Sequence, residues 1–129
     1  MDRTRVQTGA PWEAQVGYCR AVRAGNQIVV SGTAPVGANG EVVGPGDAYR
    51  QAKRCIEIIE GALEELGSGL QDVIRTRMFV TDISQWAAVG RAHAEAFGYF
   101  PPASAMVEVS GLIDPEMIVE IEANAVVDD

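Results

Sequence analysis

The sequence is poor in the features that make a nucleic-acid surface, a metal site or a membrane span. Lys and Arg together number 10 against 18 acidic residues, giving a formal net charge of -8, and the isoelectric point is about 4.6. An acidic surface repels phosphate backbones, so no nucleic-acid partner is expected. No basic cluster reverses this: Arg75 and Arg77 stand on one candidate strand and read as salt-bridge partners. Cysteine occurs twice, as Cys19 and Cys55, without a CxxC spacing, and His93 is the single histidine. That pattern supports neither zinc nor a nucleophile–His–Asp triad, and no metal or cofactor is expected. Apolar runs such as Ile28–Val30 are only a few residues long, far short of a membrane span. The polar opening Met1-Asp2-Arg3-Thr4-Arg5 has no apolar export core, so a cytoplasmic chain with reduced thiols is expected. Glycines between Gly37 and Gly46 lack Walker or dinucleotide spacing and read as turns.

What is present suits one globular α/β domain spanning residues 1–129, with 47% apolar and 22% charged residues and no linker. Val16–Val22 reads as a strand, turned at Ala24-Gly25-Asn26 into a second over Gln27–Gly32. A short extra strand is expected near Glu41–Val43. A helix follows from Asp47 to Leu66: Asp47 suits an N-cap, Ala52, Cys55, Ile56, Ile59 and Leu63 recur at helical spacing, and Gly67 suits the stop. Val73–Thr81 alternates as a strand. Ser84 is a candidate cap for a second helix running to Phe97, with Trp86, Val89, Ala94 and Phe97 as its buried stripe. Ala103–Ser110 and Met117–Val127 close the chain as strands, with Asp114-Pro115 turning between them.

The order β-β-α-β-α-β-β predicts one mixed sheet with both helices on one face. Strand parity then predicts what the other face carries. Ile74, Thr76, Met78, Val80, Ala105, Val107, Val109, Val119, Ile121 and Ala123 are expected beneath the helices. Phe79, Met106, Arg75, Arg77, Glu108, Glu120 and Glu122 are expected on the bare face, a mixed surface that self-association would cover.

Several strings, in order and with small gaps, resemble the Rid family (YjgF-type, or endoribonuclease L-PSP). Gly17-Tyr18 before Ala21-Val22 is similar to its Pro-Tyr-Ser-x-Ala-Val region, and Val30-Ser31-Gly32 to its Ser-Gly strand end. Val80-Thr81-Asp82-Ile83 is similar to its Leu-Thr-Asp-Met segment, Pro102 to Val109 to its Pro-Ala-Arg-(Ser/Thr)-x-Val-x-Val signature, and Val119-Glu120-Ile121-Glu122-Ala123 to its closing Val-Glu-Ile-Glu-Ala motif. The resemblance implies a chorismate-mutase-like fold, a homotrimer whose sheets form a central barrel, and small-molecule clefts at the subunit interfaces. It implies an imine or enamine deaminase, a hydrolase acting on C–N bonds. Residue by residue, it makes Glu120 the catalytic group that handles water, with Tyr18, Ser31 and Gly32 forming the cleft and Met106 lining it beside Phe79.

The signature arginine does not carry over, because Ser104 stands at its position; Gly90 likewise stands where deaminating members often have Asn. A guanidinium grips a carboxylate through two charge-assisted hydrogen bonds, and Ser offers one neutral hydroxyl. Losing two such bonds weakens carboxylate capture by about two to four orders of magnitude. Specificity shifted away from 2-aminoacrylate is therefore expected, with Arg77 as the candidate stand-in cation unless it pairs with Glu108 or Glu122 inside the barrel. The alternative is a trimer that binds a small molecule without turning it over. Ribonuclease or translation-inhibitor activity conflicts with the acidic charge.

Overall fold

The computed structural model describes residues 2–128. Its elements are β1 (Arg3–Val6), α1 (Pro11–Val16), β2 (Ala21–Ala24), β3 (Gln27–Thr33), α2 (Ala48–Glu65), β4 (Val73–Val80), α3 (Trp86–Phe97), β5 (Ala103–Glu108) and β6 (Val119–Val126). The strands form one six-stranded mixed sheet in the order β1-β2-β3-β6-β4-β5. Only β4 and β5 run parallel, and the return that a parallel pair requires is made by α3.

The long helix forms where its pattern places it. Asp47 Oδ1 accepts the Arg50 amide at 3.0 Å, and Gly67 takes a left-handed φ of 80° just past the end. Ala52, Cys55, Ile59 and Leu63 are buried against Ile28, Val30, Val80, Val119 and Ile121 of the sheet and Val89 and Phe97 of α3. Both long helices thus share one core on one face of one sheet. Fully burying such a side chain contributes roughly 1.5–3 kcal/mol, so this face supplies most of the apolar stabilisation.

Four expectations need correction. First, β1 and α1 were not anticipated, and residues 16–20 are not strand. A polar strand that buries only Val6 carries no alternation to read. The six-residue α1 is too short for periodicity: Pro11 begins it and Gly17, at φ 90°, ends it. Second, residues 41–43 make only an isolated bridge, Val36 with Val42. Third, Asp82 rather than Ser84 caps the turn before α3, accepting the Ser84 amide at 3.0 Å and its hydroxyl at 2.6 Å. Both bonds hold the Asp82 carboxyl below its ordinary pKa. The stripe of α3 is Val89, Ala92 and Phe97, while Trp86 is 61% exposed and Ala94 faces solvent.

The fourth correction concerns strand faces. On β6 and most of β4 the predicted parity is observed, with Thr76, Met78, Val80, Val119, Ile121 and Ala123 buried. A bulge between Val73 and Arg75 turns Val73 inward and leaves Ile74 exposed. On β5 the assignment inverts. Thr76 pairs with Ser104 and Met78 with Met106, and Met106 packs on the core. Ser104, Met106 and Glu108 therefore share the helix-covered side, and Ala105 and Val107 the bare side. Every β5 residue except Met106 is exposed, so an edge strand offers no apolar alternation that would reveal its register.

Candidate functional site

Where β3 meets β6, the pairing Val30–Ala123 is followed by Thr33–Ile121. Three steps on β3 thus match two on β6, and Ser31-Gly32 forms a bulge opposite Glu122. Both Val30 and Thr33 stay buried, and the extra residue re-aims the backbone. Gly32 arrives over Glu120: a Cβ built there would lie 3.1 Å from the Glu120 carboxyl carbon. Any side chain would press on that carboxylate and push it by a few tenths of an ångström, so glycine here serves close approach rather than an unusual φ.

Glu120 is half-buried and opens into a cavity of about 1240 Å³. The cavity is walled by the N-terminal segment through Trp12, by Tyr18 and Arg20 before β2, by Gly32 and by the loop 111–116. Three ties hold those walls. The buried Glu13 carboxylate accepts the Thr8 amide and hydroxyl. The buried Gln51 donates to Glu116 O at 2.9 Å and accepts the Ile118 amide at 2.7 Å. Arg54 Nε donates to Val36 O at 2.8 Å.

Burial raises the Glu120 pKa above its ordinary value; the Arg20 charge opposes the shift and Glu122 adds to it. No ion pair neutralises Glu120 among the described residues. A carboxylate in this setting can act as a general base toward a bound water. Arg20 is only 5% exposed. Its Nη2 donates to Gly32 O at 2.8 Å, and its guanidinium carbon lies 5.6 Å from the centroid of the Tyr18 ring.

Of the residues singled out in the sequence, the fold brings Tyr18, Gly32 and Glu120 to this cavity. Phe79 pairs directly with Glu120 on the bare face. Ser31 lies in the bulge, but its hydroxyl is committed to Cys19 O at 2.7 Å. Ser104 and Met106 are elsewhere, toward α3. There the Thr76 hydroxyl joins Ser104 Oγ and His93 Nε2, each at 2.8 Å, and burial lowers the His93 pKa. Arg77 does not share a face with Ser104; it pairs with Glu122 at 2.7 Å on the bare side. The expectation that it replaces the signature arginine is not met within this chain. Cys55 is wholly buried, which raises its thiol pKa, and it serves the core.

Sequence reasoning passed over Arg20. The signal was present in the string Gly17-Tyr18-Cys19-Arg20, a charged residue entering a strand whose neighbour Ala21 is buried. No group of three or more metal-ligating side chains gathers among the described residues. No helix among them is long and apolar enough to cross a membrane.

Comparison with known proteins places these features in context. The sequence profile of the family described as endoribonuclease L-PSP matches residues 8–127. An uncharacterised Streptomyces coelicolor protein is 39% identical over 122 residues, covering 94% of this chain and 90% of the relative. The 3-aminoacrylate deaminase RutC of Acinetobacter baylyi is 36% identical over 108 residues, covering 84% of this chain and 85% of the enzyme. In three dimensions, a Mycobacterium tuberculosis member of the YjgF/YER057c/UK114 family superposes with a TM-score of 0.89 at 47% identity, covering 98% of this chain and 100% of the other.

Proposed function

Because the chain belongs to the endoribonuclease L-PSP family, also called YjgF or Rid, we propose that it hydrolyses a reactive imine, or the enamine that tautomerises to it, to a carbonyl compound and ammonia. Water adds to the imine carbon, the C–N bond breaks, and nitrogen leaves as ammonia. Glu120 takes a proton from the attacking water and passes it to the imine nitrogen, giving a carbinolamine; it then moves the carbinolamine hydroxyl proton to that nitrogen as the C–N bond breaks and the carbonyl forms. The observation that carries this reading is an un-neutralised, half-buried carboxylate in a cavity, with its pKa raised by burial. The RutC relative, a 3-aminoacrylate deaminase, supports the reaction class. Tyr18 and Gly32 shape the cleft, and Phe79 lends Glu120 an apolar neighbour.

The working form is a homotrimer. In support, the uncovered sheet face exposes Val29 and Val107 and half-buries Phe79, a mixed surface that other copies would cover. Within one subunit Ser104 and Met106 stand apart from Glu120, so they can join a substrate cleft only through a neighbouring copy. Light scattering behind size-exclusion chromatography tests this: three chains are expected, and a monomer at micromolar concentration overturns it.

The deaminase reading is tested by ammonia release from a panel of oxidase-generated imines, comparing wild type with Glu120→Ala. Acceleration by wild type that is lost in the variant is expected. No acceleration on any imine, with ligand still bound, would replace this reading with that of a binding trimer.

A further inference from the structure

The cavity contains two cations, Arg20 and Arg54. Arg54 is already engaged, donating to Val36 O and pairing with Glu57 at 3.6 Å. Arg20 is different. It is 95% withdrawn from solvent by its neighbours, as its 5% exposure shows, and its Nη2 is anchored on Gly32 O. Among the described residues its Nε has no hydrogen-bond partner and no carboxylate lies within ion-pair distance of it. A structural tie to one carbonyl would need one donor. A buried, always-charged fork with donor capacity left over is costly for a fold to retain, and it is what carboxylate recognition requires. Its position suits that role. Arg20 and Glu120 both flank Gly32: Arg20 donates to its carbonyl oxygen, the Glu120 carboxyl lies 3.1 Å from where a Gly32 Cβ would stand, and both line the same cavity.

We propose that Arg20 is the anion-binding residue of the Glu120 cavity and that its ligand is a small monocarboxylate. This rests on the deaminase reading for the identity of the reacting group, and it adds the handle by which the substrate is held. Other carboxylates in the lining set the ligand's charge. Glu41, Asp114 and Glu116 stand around the cavity with Glu120, and they repel phosphate esters and dicarboxylates more strongly than a single carboxylate. Arg20 thus provides just before β2 the charge that position 104, a serine bonded to Thr76, does not provide at β5.

The test is calorimetric titration of the full chain with pyruvate and with its uncharged amide, for wild type, Arg20→Gln and Arg20→Lys. Wild type should bind the acid about tenfold to a hundredfold more tightly than the amide. The preference should vanish in Arg20→Gln and fall partway in Arg20→Lys. Equal binding of acid and amide, binding of neither, or a preference that survives Arg20→Gln overturns the assignment. Circular dichroism checks that the variants fold. If Arg20→Gln does not, the wild-type ratio and Arg20→Lys decide, and a ratio unchanged by Lys overturns the guanidinium fork. Ammonia release from imines of amino acids and of amino-acid amides, run in parallel, separates the two proposals. Acid preference without ammonia release removes the deaminase and leaves Arg20. Ammonia release with no acid preference does the reverse.

Discussion

Two polar clusters border the apolar core of this sheet, and they are built on opposite rules. At the β4–β5 edge, Ser104, Thr76 and His93 form a closed chain of neutral hydrogen bonds at 2.8 Å, and burial keeps the imidazole inclined to stay uncharged. At the β2–β3–β6 end, Arg20 and Glu120 are both charged groups withdrawn from water. They are not paired with each other, and among the described residues one guanidinium nitrogen has no partner. A satisfied cluster stabilises the fold that contains it. An unsatisfied one costs stability unless a ligand completes it, and such cost concentrates where function lies. The second cluster is therefore the one assigned to chemistry.

The comparison breaks most visibly if the charged cluster is inert. Glu120→Gln keeps the shape and removes the base, so ammonia release should fall about 10²–10⁴-fold. An unchanged rate would leave Glu120 no catalytic role. Gly32→Ala should be milder. Its methyl would press on the carboxylate from 3.1 Å, and a displacement of a few tenths of an ångström should lower turnover roughly tenfold while the chain stays folded.

The neutral cluster should respond in stability. Thr76→Val strands the half-buried His93 and one Ser104 bond, and it should cost about 1–3 kcal/mol. Urea titration at fixed protein concentration reads this, and a loss below about 0.5 kcal/mol would mean that the chain of bonds contributes little.

pH separates the clusters by sign. The folded pKa of His93 lies below its ordinary 6.5, so the unfolded chain binds more protons in that window. Stability should fall as pH drops from 6.5 toward the folded pKa, and His93→Gln should remove that slope. The folded pKa of Glu120 lies above its ordinary 4.5. Its ionisation should therefore cost stability as pH rises above 4.5, and Glu120→Gln should melt higher than wild type at neutral pH but not at pH 4. The smallest effect is expected outside both clusters. Arg77→Ala breaks an exposed pair with Glu122 and should change subunit stability by about 0–1 kcal/mol.

Much of this was legible in the chain. The helix at 48–65 followed from an Asp cap, a Gly stop and an unbroken apolar stripe between them. The central strands β4 and β6 followed from alternation, because both lie under helices and their buried residues, Thr76 apart, are apolar. Tyr18, Gly32 and Glu120 could be chosen from motif strings, and the fold gathers them in one cavity. Less was legible where neighbours, not the strand itself, set the outcome. β5 has no buried face of its own, so its register comes from the pairing of Thr76 with Ser104 and cannot be read from its residues. Glu108 and Glu122 could both be named as partners of Arg77 from the sequence, but that it pairs with Glu122, 45 residues away on another strand, follows only from the fold. Arg20 belongs to no motif string, and its burial and its bond to Gly32 O come from the fold.

By itself, the sequence determined the acidic charge, the long helix, the alternation of the central strands and the motif strings that mark the family. Each of these is encoded by residues close together in the chain, or by their sum. Only the tertiary structure decided which charges stay unpaired. Whether Arg20 has a partner depends on the bulge at Ser31-Gly32, on β6 lying beside β3, and on the walls tied by Glu13, Gln51 and Arg54. Burial and pairing are properties of what surrounds a side chain, and those surroundings come from segments up to a hundred residues apart, as Arg20 and Glu120 are.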